Sequence, residues 1–236
     1  LPDVVAGRQF LTGALEGNVE VRDGCLYGQA RCVPDTHLAQ RVVVATSQGL
    51  YLADVESPIV QRATNDEPLA ILNFDGARGQ VLAQGQGAVR WMRQRATLGR
   101  CALMLGVAER AMFLTAGYVS DRQQFGVPIG TFQAVSQRAG DMYIDVAAMR
   151  ASLWNAAWSL DNDRQADRAL CIARYWACEA GHRVVAAAQH LHGGMGFDRD
   201  YPLYRYFLWM KRLEFSMGGA GAHLQDLGDM IAGQRS

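Results

Sequence analysis

The sequence has no excess of charge of either sign, since 23 basic and 23 acidic side chains balance over its 236 residues. This balance argues against nucleic acid or an anionic membrane as the main partner. No apolar run reaches the ~18 residues of a transmembrane helix, so no membrane span is expected. No signal peptide is expected either, because Asp3 and Arg8 leave no continuous apolar block near the start.

The chain also lacks the spacings that mark disulfide frameworks and metal sites. Its five cysteines are odd in number and contain no Cys-x-x-Cys pair. Cys101, Cys171 and Cys178 lie in helical apolar patterns, which indicates buried free thiols in a reducing compartment, and we expect a cytoplasmic protein. The histidines show no metal-binding or catalytic-triad spacing, so no metal site is predicted.

Two kinds of apolar periodicity divide the chain. Residues 1–84 contain short alternating runs separated by turn signals such as Asp23-Gly24, which predicts a small antiparallel β-domain, a sandwich or barrel. Residues 85–236 have apolar residues at helical spacing and are predicted to form an antiparallel four-helix bundle. The predicted fold class is therefore α+β.

The second helix of this bundle, predicted from about Phe132 to Leu160, is apolar on two faces. We expect one face to pack on sister helices and the other on another subunit. The residues Asp161-Asn162-Asp163 are predicted to close this helix and cap the next. The first face comprises Met142, Val146, Met149, Leu153, Ala156 and Leu160, and the second comprises Ala147, Ala151, Trp154 and Trp158.

A sharp reversal at Gly126–Gly130 separates the first two helices, and Thr131 is predicted to be the N-cap of the second. Arg122 and Phe125 immediately precede the reversal. A fixed cation beside a flat ring can hold a phosphate and stack on an aromatic base. On spacing alone, the favoured interpretation is instead a salt-bridged arginine and a core phenylalanine.

Two ordered motifs resemble signatures of the acyl-CoA dehydrogenase family. The first is Tyr118-x-x-x-Arg122-x-x-Phe125-Gly126-x-Pro128-Ile129-x-x-Phe132-Gln133. The second is Leu191-His192-Gly193-Gly194-Met195-Gly196-Phe197, followed by Tyr201-Pro202 and Tyr204-Arg205-Tyr206-Phe207. The resemblance implies the middle β-domain and the C-terminal helical bundle of that family. The helical domain that usually precedes them has no counterpart in this sequence.

The resemblance also implies an FAD cofactor that lies across a subunit boundary. The residues of this chain that match the family positions for its adenosine diphosphate end are Arg122, Phe125, Gln133, His190, Gly193 and Gly194. An arginine can fork a phosphate, and glycines allow close approach of backbone N–H groups. His190 stands where the family usually has glutamine, and it can still form hydrogen bonds.

The family's catalytic glutamate has no counterpart, so no catalytic residue is predicted. The two positions where the family places this base fall on Met217 and Ala96, and the arginine that follows the second is Thr97. In the β-domain, the flavin-contacting tryptophan and threonine fall loosely on Arg31 and Val33. Glu214 lies one helical turn before Met217 and is a candidate replacement. Glu109 is expected to be a pairing residue on a solvated face, with Arg110 beside it.

The chain therefore most resembles the non-catalytic subunit of a heteromeric, α2β2 acyl-CoA dehydrogenase. This implies a homologous catalytic partner that binds most of a bulky acyl-CoA, such as a fatty or steroid side-chain thioester. It also implies electron-transfer flavoprotein or a similar acceptor. Two alternatives stay open at this point: an active homo-oligomer that uses Glu214 as base, and a structural protein that has lost flavin.

Overall fold

The computed structural model describes residues 2–162, 164 and 166–233. The chain divides into two compact units, Leu1–Arg95 and Ala96–Ser236. The last strand of the first unit ends at Gln84, and helix α2 begins at Gln86 and continues past the boundary into the second unit. The predicted α+β fold class is confirmed.

The first unit contains two four-stranded sheets. One has the order β1-β4-β5-β8 and the other β2-β3-β7-β6, and every pair is antiparallel except the parallel pair of β1 and β4. The elements are α1 Pro2–Val5, β1 Leu11–Ala14, β2 Glu16–Arg22, β3 Cys25–Pro34, β4 Arg41–Ala45, β5 Gly49–Asp54, β6 Ile59–Arg62, β7 Pro68–Arg78 and β8 Gln80–Gln84.

Alternating apolar residues from both sheets form one core. Leu26 of β3 and Leu72 of β7 are buried in the same cluster as Val42 and Val44 of β4. Side chains on one face of each strand therefore meet between the sheets, as in a β-sandwich. The turn from β2 to β3 follows the predicted Asp23-Gly24 signal, since both residues have positive φ.

The second unit is helical and is built around α4. Helices α3 and α4 pack side by side, and both α5 and α6 pack on α4. Its elements are α2 Gln86–Asp121, β9 Gln123–Gln124, β10 Val127–Pro128, α3 Gln133–Asp161, α4 Ala166–His192, α5 Leu203–Ser216 and α6 Gly219–Gly233. Helix α3 agrees with its predicted bounds, Phe132 to Leu160, to within one residue at each end.

Helix α3 has the two apolar faces that its sequence predicts. Met142, Val146 and Met149 of the first face are buried in the helical core. The second face is exposed within this chain, and Trp154 and Trp158 have 68% and 53% of their surface accessible. Its burial by another subunit stays a prediction.

The prediction that Thr131 caps α3 is wrong. Thr131 Oγ1 donates to the Pro128 carbonyl at 2.7 Å, and Phe132 holds the N-cap position without a side-chain hydrogen bond. The cause is a short 3-10 turn, Ile129–Thr131, that leads directly into the helix. At the boundary between α3 and α4, Asp163 lies outside the described residues, so its predicted capping role is untested.

Helix α2 is long and apolar enough to cross a membrane by length and composition alone. An 18-residue window of it has a mean hydropathy of 1.3, and 33% of that window is buried inside the fold. Core helices pass the same test, and Cys101, Met104 and Ala108 of α2 belong to the buried core of the helical unit. The expected absence of a membrane span therefore stays a prediction.

Candidate functional site

Arg122 stands at the point where α2 ends and the chain reverses. Its backbone N–H donates to the Tyr118 carbonyl at 2.9 Å, and its carbonyl accepts from the Ile129 N–H at 2.8 Å. Its side chain is exposed and makes no ion pair or hydrogen bond with any residue that the structure describes. The salt-bridge alternative for Arg122 is therefore not seen in this chain.

Phe125 projects from the tip of the same reversal. It has a φ of 53°, and 95% of its surface is exposed. The left-handed region is strained for a bulky side chain, and such residues concentrate at functional sites. Among the described residues, the one aromatic ring near that of Phe125 is the ring of Phe132, which meets it edge-on with centroids 6.2 Å apart. The core-phenylalanine alternative is wrong.

The second motif forms a short 3-10 segment, Gly193–Phe197, directly after α4. Gly193 has a φ of 57°, which an L side chain rarely adopts. His190, Gly193 and Gly194 are all exposed, and Gln133 is exposed at the first position of α3. The site residues predicted from the sequence are thus all accessible at the surface.

A buried histidine connects the two motifs. The ring of His192 stacks on that of Tyr118 with centroids 4.3 Å apart, and its Nε2 accepts from the Tyr201 hydroxyl at 3.1 Å. Its Nδ1 lies 2.8 Å from the Ala188 carbonyl, which can only accept, so Nδ1 carries the proton. Burial lowers the pKa of His192, which favours this neutral form.

Sequence reasoning missed Gln189, which is also part of this region. Gln189 is 8% exposed, and its Nε2 donates to the Gly196 carbonyl at 2.7 Å. Only its position beside His190 and four residues before Gly193 could have drawn attention to it.

The positions of the family base hold no base in the structure. Met217 is half-buried at the C-terminal end of α5, and Ala96 is half-buried within α2. Glu214 Oε2 accepts from Lys211 Nζ at 2.9 Å and lies 3.7 Å from His182 Nδ1, to which Lys211 also donates. Glu214 is therefore ion-paired with Lys211 of the same helix.

The other predicted positions have structural roles. Glu109 is a pairing residue, as expected, but its partner is Arg150 of α3 at 2.6 Å. Val33 is buried in the β-sandwich core, and Arg31 is exposed with its Nε donating to Gln29. Over residues 2–162, 164 and 166–233, no group of three His, Cys, Asp or Glu side chains could hold a metal ion.

A groove of about 650 Å³ opens between α3 and α4 beside His190. Ala186 and Ala187 are among its apolar lining residues, and Arg138 is among its charged ones. In the same groove Arg183 pairs with Asp145 at 2.5 Å. Taken with Arg122 and Phe125, this end of the helical unit can bind a flat anionic ligand at its surface.

Comparison with known proteins gives a consistent result. The family described as "Acyl-CoA dehydrogenase, C-terminal domain" matches residues 77–231. Acyl-CoA dehydrogenase FadE27 of Mycobacterium tuberculosis is 44% identical in an alignment that covers 68% of this chain and 46% of FadE27. FadE28 of the same organism is 36% identical over 52% of this chain and 36% of its own length. The chain therefore spans less than half the length of these curated relatives.

Two solved structures are similar over nearly all of this chain. A variant of the Tcur3481-Tcur3483 steroid ACAD has a TM-score of 0.91 at 37% identity and covers 100% of this chain and 71% of that one. The ChsE4-ChsE5 complex from Mycobacterium tuberculosis has a TM-score of 0.88 at 37% identity, over 98% of this chain and 68% of that one. The fold, the two motifs and the family match agree, and this chain belongs to the acyl-CoA dehydrogenase family.

Proposed function

We propose that this chain is the non-catalytic subunit of a heteromeric acyl-CoA dehydrogenase and completes the FAD site of a homologous partner. One contrast carries the proposal. The positions for the adenosine diphosphate end of FAD are all exposed and, apart from His190, match the family, whereas Met217 and Ala96 stand where the family has its base. A methionine or an alanine cannot remove the α-proton of a thioester.

The exposed residues fit the cofactor. The Arg122 guanidinium has no partner among the described residues and can fork a pyrophosphate. The Phe125 ring is open to stacking, and nothing lies within 4 Å of a Cβ built on Gly193 or Gly194, so the backbone there is accessible. FAD would supply the hydride acceptor, and this chain's residues would hold its phosphate and adenine end.

The partner is proposed to be a homologous subunit that carries the base and binds most of the acyl-CoA. Both solved relatives at 37% identity are named for two components, and one of them is a steroid ACAD. This supports a bulky acyl-CoA, including a steroid side-chain thioester. A relative that is 32% identical is a subunit of a Caffeyl-CoA reductase-Etf complex, which supports electron-transfer flavoprotein as acceptor. The free buried thiols support a cytoplasmic location.

The test is co-purification with the homologous subunit from the same source, followed by absorbance in the flavin bands. We expect a yellow heteromer that bleaches with acyl-CoA, and a colourless chain when it is purified alone. Glu214→Gln in this chain should leave bleaching unchanged. Bleaching by the isolated chain that Glu214→Gln abolishes would favour the homo-oligomeric enzyme. A heteromer without flavin would favour the structural protein.

A further inference from the structure

The short segment that carries Gly193 and Gly194 is fastened to α4 by one side chain. Gln189 Nε2 donates to the Gly196 carbonyl at 2.7 Å, and both residues are buried. A Cβ built on Gly196 would lie 3.1 Å from the Gln189 carbonyl oxygen and 3.2 Å from Gln189 Cδ. Gly196 therefore lies directly against Gln189, and a larger residue at position 196 would force Gln189 or the segment to shift by a few tenths of an ångström.

Core packing alone does not explain a glutamine at this position. Gln189 Oε1 is buried and has no hydrogen-bond partner among the described residues. A buried acceptor without a partner destabilises the fold, so an apolar side chain of similar size would pack here at lower cost. What an apolar side chain cannot provide is the N–H donor to Gly196.

The other contacts of this region act on the ends of the segment. His192 precedes it and is fixed by Ala188 and Tyr201, while the Asp198 N–H closes it by donating to the Met195 carbonyl at 3.3 Å. Between these ends, the bond from Gln189 is the one side-chain hydrogen bond to the segment's backbone that the described residues provide. Backbone donors at a phosphate must be held in place before the ligand arrives to bind it well.

We propose that Gln189 is a positioning residue that holds the Gly193–Phe197 segment in the geometry needed for binding the flavin's phosphate end. This rests on the proposed function of the chain as one half of an FAD site. Gln189 itself does not contact the cofactor, since its amide is buried and directed to Gly196. Its contribution to FAD retention is indirect, through the placement of Gly193 and Gly194.

The experiment measures FAD dissociation from the purified heteromer for three variants of this chain. Gln189→Met keeps length and volume but removes the donor. Loss of one neutral hydrogen bond is expected to speed dissociation about two- to tenfold. Arg122→Ala is the reference for the proposed function. If Arg122→Ala and Gln189→Met both retain FAD as wild type does, then the chain has no cofactor role. If Arg122→Ala loses FAD faster but Gln189→Met retains it, then the cofactor role stands and the inference about Gln189 fails.

Gln189→Glu separates positioning from general stability. An ionised carboxylate cannot donate to the Gly196 carbonyl and repels it, whereas the protonated acid can donate. Burial raises the pKa of such a carboxyl above the usual ~4.3, so the donor returns at mildly acidic pH. Dissociation from Gln189→Glu, relative to wild type at each pH, should slow as the pH is lowered, and the ratio for Gln189→Met should stay flat. A Gln189→Glu ratio that does not change with pH would overturn the proposal.

Discussion

The rings of Tyr118 and His192 stack with centroids 4.3 Å apart and planes 21° from parallel. This contact joins the end of α2 to the end of α4, and the two residues are 74 positions apart in the sequence. Arg122 follows Tyr118 by one helical turn, and Gly193 directly follows His192. The stack therefore brings the two halves of the candidate cofactor surface to the same end of the helical unit.

The contribution of this stack to the free energy of unfolding should come mainly from the ring of Tyr118 and very little from its hydroxyl. The hydroxyl lies 3.5 Å from the His192 carbonyl, at the limit of a hydrogen bond. Tyr118→Ala should reduce the free energy of unfolding by roughly 3 kcal/mol, whereas Tyr118→Phe should cost about 0.5 kcal/mol or less. Chemical denaturation of both variants tests this. Equal losses would show that the hydroxyl matters more than the stacked ring.

The ion pair between Asp145 and Arg183 should stabilise the contact of α3 with α4. Asp145 is buried and accepts two hydrogen bonds from Arg183, at 2.5 and 2.9 Å, and these raise the pKa of Arg183. Asp145→Asn should cost roughly 1–3 kcal/mol, because it removes the charge from a bidentate pair whose carboxylate is buried.

Glu179→Gln is the matched control, since Glu179 pairs with the same arginine but on the surface, at 2.8 Å. Its loss should cost about 0.5 kcal/mol or less. The two melting curves should differ clearly. Equal destabilisation by both variants would show that the pair of Asp145 with Arg183 stabilises the fold no more than the surface pair does.

His223 should make the stability of the fold depend on pH. It is 2% exposed, and burial followed by the charge of Arg174 lowers its pKa from 6.5, against an opposing effect of Asp226. Below pH ~6.5 the unfolded chain takes up a proton that the folded chain does not, so stability is full above that pH and is lost as the pH falls.

His223→Leu should remove this part of the pH dependence. Each unit by which the folded pKa is lowered corresponds to about 1.4 kcal/mol. The drop in melting temperature between about pH 7.5 and about pH 5.5 should therefore be smaller in the variant. A drop as large as that of wild type would mean that His223 does not titrate as its burial implies.

Periodicity was sufficient to predict the helices and most strands, because each buries one side of a regular repeat. Met142, Val146 and Met149 of α3 illustrate this. It could not predict the entry to α3, where a 3-10 turn at Ile129–Thr131 replaces a side-chain cap. It also could not reveal that Gln189 bonds to Gly196, because that contact depends on how the segment after α4 packs against the helix.

The exposed face of α3 should be an interface with another subunit. Trp154 and Trp158 are exposed on the same face as Ala147 and Ala151, and an apolar stripe of this kind is uncommon on a monomer. The double variant Trp154→Glu with Trp158→Glu should dissociate the assembly, because it places two charges in the apolar interface. Sedimentation velocity at micromolar concentration measures this.

Val60→Glu is the control, since Val60 is equally exposed but lies on β6 of the other unit. It should leave the assembly intact. An unchanged sedimentation coefficient in the tryptophan variant would show that this face of α3 does not hold the subunits together.

The most direct test of the account is FAD dissociation from the purified heteromer with Arg122 replaced. A charge-assisted, bidentate contact to a phosphate is worth roughly 1.5–3 kcal/mol, so Arg122→Ala should speed FAD loss by about ten- to a hundredfold. Arg122→Lys should recover part of the retention, since an ammonium cannot form the two parallel hydrogen bonds of a guanidinium. Circular dichroism should show the fold unchanged, because Arg122 is exposed and has no partner among the described residues. If Arg122→Ala retains FAD as wild type does, then this chain does not complete a flavin site.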